Sequence, residues 1–255
     1  MRDAAPPILN RLYRKLRLFS LYPRYREYVD GIGPASPLRG IPTRMVGDAA
    51  ADPTEFFDHY DAFACWAARR IAARGSRLAT LDVGSTKMMN AILSAQHDVT
   101  ALVLADCGDR LSGIRYVKHD VADPLPFADA SFDAFTSMVS LPLVGLARYG
   151  DRLDPECLPR VVNELGRVMK PDGELLVSMC LGPNVLNFNN GWFFDFPTLQ
   201  RIFVGWTIVD RLVDRQSSPR TTNDAGERFV DDVSVDSIAS GDYRVVFLQL
   251  RRAGR

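Results

Sequence analysis

The stretch Glu164-Leu165-Gly166-Arg167-Val168-Met169-Lys170-Pro171-Asp172-Gly173-Glu174-Leu175 decides the fold. Leu158, Val161, Val162, Leu165, Val168 and Met169 recur at three- and four-residue steps, which predicts a helix over 155–169 with one apolar face. Pro171-Asp172-Gly173 predicts a tight turn, because proline presets φ and glycine tolerates the left-handed region. The apolar run that follows, from Glu174 to Met179, predicts a buried strand. Helix, turn and buried strand form the repeating unit of an α/β protein, and the same alternation continues on both sides.

Upstream, short apolar runs predict strands over 79–83, 99–105, 114–118 and 132–140, with a helix over 88–94. Downstream they predict a helix over 196–204 and strands over 206–213 and 243–250. The segment 215–242 is polar and lacks a helical pattern, so the last two strands should pair antiparallel at one edge. The expected fold is α/β: a doubly wound, seven-stranded mixed sheet with N-terminal helices and a crevice where strand order reverses.

Two regions are expected, 1–52 and 53–255. In the first, Ile8, Leu12, Leu16 and Phe19 stand at helical spacing among arginines, ahead of a linker rich in glycine and proline. That helix suits packing on the domain, or peripheral contact of residues 8–26 with an anionic membrane surface. In the second, Asp52 and Pro53 open a helix over 53–74 with an aromatic stripe, stopped by Gly75.

Lysine plus arginine equals aspartate plus glutamate, 31 against 31, which argues against a nucleic-acid partner. The four cysteines, Cys65, Cys107, Cys157 and Cys180, lack metal-ligand spacing. They read as reduced thiols, so no metal and a cytoplasmic location, at most peripheral at the inner face of the membrane, are expected.

In open α/β sheets ligands bind beyond the carboxyl ends of the strands. The polar residues there are Asp82, Gly84 and Ser85 after the first strand, Asp106 after the second, His119, Asp120 and Val121 after the third, and Ser140 after the fourth. An acid after the second strand can accept both hydroxyls of a ribose, one after the third can accept from an adenine amino group, and a glycine lets backbone approach a ligand closely. Each has a plain alternative: Asp106 and Asp120 as turn residues, Asp82 as an organiser of the first loop. Arg148, Tyr149 and Asp151 lie after the fourth strand, as hydroxyl-binding residues or as a clasp. Asn187, Asn189 and Trp192 follow the fifth, and suit a carbohydrate face or ordinary loop chemistry. Asp151 and His119 are the candidate bases, and His97 reads as a surface histidine.

These passages resemble the class I S-adenosylmethionine (SAM)-dependent methyltransferases. Leu81-Asp82-Val83-Gly84-Ser85 is similar to their first motif and Asp106 to their ribose-binding acid. Lys118-His119-Asp120-Val121, then Leu125-Pro126-Phe127 and Ser131-Phe132-Asp133, resemble their passage into the fourth strand, and Glu164 to Leu175 their helix, turn and fifth strand. The resemblance implies a Rossmann-like methyltransferase fold and SAM as cofactor. A narrower similarity, carried by His59-Tyr60, Trp66 to Arg69, Gly145 to Asp151 and Asn187-Phe188-Asn189, is to an uncharacterised methyltransferase-like family of bacterial surface-polysaccharide gene clusters. The substrates of that family are mostly unassigned; the strand-end carboxylates and the polar rims motivate the expectation of O-methylation of a sugar or glycolipid precursor in surface-polysaccharide biosynthesis.

Two departures stand out. Gly84 is followed by Thr86, Lys87, Met88 and Met89 rather than alternating glycines, and Leu141 to Val144 replaces a His-Glu-His-like run. They leave two alternatives open: a catalytically silent binding or scaffold protein, and a transferase that uses a nucleotide sugar.

Overall fold

The computed structural model describes residues 19, 21–45, 59–84, 87–105, 111–215, 228–239 and 242–253. Helices are α1 (21–30), α2 (His59–Ala72), α3 (Lys87–Ser94), α4 (Cys157–Val168) and α5 (Phe196–Ile202). Strands are β1 (Thr43–Met45), β2 (Ala79–Val83), β3 (Asp98–Val103), β4 (Ile114–Lys118), β5 (Phe132–Met138), β6 (Met169–Leu181), β7 (Val185–Phe188), β8 (Gly191–Phe193), β9 (Trp206–Asp214), β10 (Phe229–Val230) and β11 (Arg244–Arg252).

The main sheet runs β10-β9-β11-β6-β5-β2-β3-β4. Strands β4, β3, β2, β5 and β6 are mutually parallel, and β11 is antiparallel to both β6 and β9. Period-two alternation puts successive residues on opposite faces. Leu175, Val177, Val246 and Leu248 pack with α4 and α5, while Leu176, Val245 and Phe247 pack with α2 and α3. Two helical layers therefore enclose one sheet. Strand β2 lies between β3 and β5, so the chain leaves it in opposite directions and opens a crevice at its carboxyl end.

The sheet has eight strands, not the seven expected. The extra one, β10, pairs with Val213 and Asp214, and the Arg228 guanidinium bonds the fully buried Asp214 carboxylate at 2.8 and 2.9 Å. Part of the polar segment 215–242 is thereby an edge strand. A second sheet, β1-β7-β8, was also not anticipated. Pro171-Asp172-Gly173 does not separate helix from strand as a free turn. Strand β6 already pairs at Met169 with Phe132, shifts register, and resumes at Glu174 opposite Ala134. Asp133, inside the shift, accepts from Ala79 N and Lys170 Nζ at 2.8 Å each, so a buttressed bulge replaces the turn. His97 is buried rather than on the surface. Its Nδ1 accepts from Leu78 N at 3.3 Å, and desolvation holds its pKa below the ordinary histidine value.

The expected boundary at 52/53, and residues 8–18 and 20 of the proposed membrane-facing helix, lie outside the described residues. Residues 21–45 share the main core through Tyr28, Ile32 and Leu38. No helix among the described residues is long and apolar enough to cross a membrane. Cys157 and Cys180 are buried free thiols, each pushed up to about 12, mainly by burial.

Candidate functional site

A pocket of about 420 Å³ opens at the carboxyl ends of β2 to β5. Its walls include Val83 and Gly84 after β2, Leu102 to Ala105 after β3, His119 to Val121 after β4, and Met138 to Ser140 after β5. Tyr60 of α2 and Tyr149 complete the mouth. Most of these walls are apolar, with a few polar groups converging, which is the usual make-up of a small-molecule site.

Gly84 has φ +110°, and a Cβ there would stand 1.9 Å from Ser140 Oγ. Only glycine fits, because the first loop is pressed against the end of β5. The partner side of that contact is strained. Val139 has φ +46°, rare for a β-branched residue, and its N–H donates to Ser178 Oγ at 2.8 Å. The strand that was expected to run to Ser140 therefore ends at Met138, and Ser140 turns over Gly84 with its Oγ bonded to Met138 O at 3.1 Å. Strain of this kind concentrates at ligand sites.

The carboxylates are organised by their neighbours. Asp82, 1% exposed, accepts from Asn90 Nδ2 and Thr136 Oγ1, both at 2.8 Å, and so locks α3 and β5 to β2. Asn90 and Thr136 were not singled out in the sequence, since a buried asparagine on a short helix carries no local signature. Asp120 accepts from Ala122 N at 2.9 Å and Arg152 N at 3.0 Å, which joins the loop after β4 to the loop after β5. Asp151 accepts from Gly145 N, Ala147 N and Tyr149 N at 3.0–3.1 Å and is the knot of that second loop. His119 lines the pocket, with Nε2 3.3 Å from Asp123 O.

The pocket thus brings together Gly84, His119, Asp120, Val121, Ser140, Tyr149 and Asp151. Ser85 and Asp106 lie outside the described residues. Asn187 and Trp192 are not on the rim. Both are fully buried: Asn187 Oδ1 accepts from Arg44 Nε at 2.7 Å, and Trp192 Nε1 donates to Tyr28 Oη at 2.8 Å. Burial pushes the Tyr28 hydroxyl above the usual phenol range, with the Trp192 bond acting against it. Asn189 meets the loop after β5 through its carbonyl, which accepts from Arg148 Nη1. Among the described residues no cluster of histidine, cysteine or acid side chains is arranged to hold a metal.

Residues 77–232 match the model of a family described as Caenorhabditis protein of unknown function, DUF268. The chain belongs to this family. No curated protein matches the sequence of this DUF268 member. In the solved structures it is similar to the N-methyltransferase NodS from Bradyrhizobium japonicum WM9, in complex with S-adenosyl-L-homocysteine, at 14% identity. The likeness covers 81% of this chain and 94% of NodS, with a TM-score of 0.50. It is also similar to a SAM-dependent methyltransferase of Leishmania major at 10% identity, covering 75% and 72% of the two chains, TM-score 0.50. At these identities the likeness establishes the fold: DUF268 here has the Rossmann-like α/β fold of SAM-dependent methyltransferases.

Proposed function

We propose that this protein is a SAM-dependent methyltransferase that O-methylates a sugar or glycolipid precursor. The observation that carries the reading is the pocket at the β2–β5 ends, at the reversal of strand order, floored by Gly84 in a conformation only glycine takes easily. Its residues fit the cofactor. Leu102 to Ala105 and Val121 offer apolar walls to a purine, with the Asp120 carboxylate beside them. Gly84 and Ser85 would hold the methionine end, and Asp106, next in sequence to the wall residue Ala105, the ribose hydroxyls. Bound there, SAM supplies an electrophilic methyl group. The chain's own task is to hold the acceptor oxygen in line and exclude water. His119 is the better candidate base, because Asp151 is committed to three backbone amides. The exposed rings of Tyr60 and Tyr149 at the mouth support a sugar acceptor, since aromatic rings cover the apolar face of a pyranose.

One observation favours a second reading, a silent binding protein: Asp82, Asp120 and Asp151 all spend their oxygens on internal hydrogen bonds. Incubation with methyl-labelled SAM and a panel of nucleotide and lipid-linked sugars separates the two. The enzyme reading expects label on at least one sugar, lost in Asp106→Ala. Cofactor binding with no transfer to any acceptor class would favour the silent protein.

A further inference from the structure

Arg148 differs from the arginines that follow it along the chain toward α4. Arg152 is paired with Asp123 at 3.1 Å, Arg160 with Asp154, and Arg167 with Glu164 at 2.7 Å. Arg148 is half buried, and among the described residues its hydrogen bonding is confined to the Asn189 carbonyl. No carboxylate of the described residues pairs with it. Asp151, three residues on, is turned to the amides of its own loop. A guanidinium carries five N–H donors in a planar fork that matches carboxylate or phosphate oxygens. Partial burial of such a charge without a counter-ion is unfavourable, and an incoming anion relieves it.

The surroundings place this cation at the mouth of the pocket. Its guanidinium lies 5.3 Å from the Tyr149 ring centroid, and Tyr149 lines the pocket together with Tyr60. Tyr60 is 47% exposed and Tyr149 63%. Burial raises the pKa of the Tyr243 hydroxyl, Tyr60 adds to the rise, and the Arg148 charge opposes it, so these groups share one neighbourhood. Arg148 is itself fixed by the β7–β8 connection through Asn189, which takes φ +69°.

We propose that Arg148, Tyr149 and Tyr60 form an acceptor subsite for a sugar bearing an anionic group, a phosphate or a ring carboxylate. The assignment as acceptor subsite rests on the methyl-donor reading of the adjoining pocket. The rings would cover the apolar face of the sugar, and the guanidinium would bind its charge.

The test is calorimetric titration of the full chain, saturated with S-adenosylhomocysteine, with glucose 6-phosphate, glucuronate and glucose. At least one anionic sugar should bind about tenfold or more tightly than glucose, as a charge-assisted hydrogen bond provides. Which of the two does so distinguishes phosphate from carboxylate. Arg148→Gln should erase the preference and Arg148→Lys should retain part of it. Affinity for S-adenosylhomocysteine should stay within about twofold in both, since Arg148 is not among the wall residues of the pocket. Equal binding of all three sugars by the wild type, or a preference that survives in a folded Arg148→Gln variant, would overturn the subsite. A wild type that shows no heat with S-adenosylhomocysteine but prefers the anionic sugar would overturn the cofactor reading and leave the anion subsite standing.

Discussion

The α4 clamp and the pocket rim are built from neighbouring stretches of chain by opposite means. At the clamp, Arg167 donates to Leu125 O, Phe127 O and Asp129, and Glu164 accepts from Leu125 N at 2.9 Å. Charged side chains there bind a loop to a helix, and a single left-handed residue, Ala130 at φ +52°, turns the loop so that its N–H meets Arg167 O at 3.0 Å. At the rim, Val139 and Ala147 hold left-handed angles, Gly145 has φ +77° with a Cβ position 2.1 Å from Asp154 O, and Asp151 collects backbone amides. Recurrent side-chain chemistry makes the clamp recognisable in sequence, yet it lies away from the pocket at the β2–β5 ends. The rim surrounds the pocket, and its conformation is set by contacts that sequence does not announce.

The largest effect is expected in the helix. Leu165→Ala removes a fully buried side chain from the face of α4 and should cost about 2–5 kcal/mol in urea unfolding. The ligand affinity of the folded fraction should be unchanged. If that affinity falls in parallel, clamp and rim are one unit.

Gly84→Ala comes next. A methyl group there meets Ser140 at a φ that alanine avoids, for about 1–3 kcal/mol of strain. Here affinity for S-adenosylhomocysteine should drop more than stability. Asp151→Ala strips the amides of Gly145, Ala147 and Tyr149 of their acceptor. A loss of about 1–3 kcal/mol is expected, with faster proteolysis confined to the loop 145–151.

The clamp also predicts a pH dependence. The Arg167 hydrogen bond holds the Glu164 carboxyl below its ordinary range, against burial. For Asp133, burial acts upward, but the Lys170 and Ala79 bonds prevail and its pKa is also lowered. Lowered folded-state values mean that both contribute stability in full above the unfolded carboxyl range, near about pH 4. That contribution is lost as pH falls through the folded values. Asp133→Asn should flatten the acid limb of a melting-temperature profile and leave the neutral region parallel to the wild type. The smallest effect belongs to Ala147→Gly, which relieves φ +53° and should stabilise by up to about 1 kcal/mol.

The difference explains what could be read beforehand. The α4 face and the alternation of β6 and β11 follow from periodicity, because burial on two faces demands it. Strand β10 escaped because two residues have no period, and its position depends on the buried Asp214–Arg228 pair. The β7–β8 hairpin escaped because Asn187, Asn189 and Trp192 look like a polar loop until Arg44 and Tyr28, from more than a hundred residues upstream, are brought onto them. At the site, Gly84, Asp120 and Ser140 were legible as strand-end positions. Their hydrogen bonding was not, because Asp120 meets Arg152 N and Gly84 meets Ser140 only once the sheet is assembled.

The central claim is that the pocket at the β2–β5 ends holds an S-adenosyl ligand. Calorimetric titration of the purified chain with S-adenosylhomocysteine, beside Asp106→Ala and Gly84→Ala, tests it most directly. Micromolar, one-site binding is expected in the wild type, weakened at least about tenfold in each variant. A folded wild type that gives no heat, or variants that bind as well as it does, would contradict it.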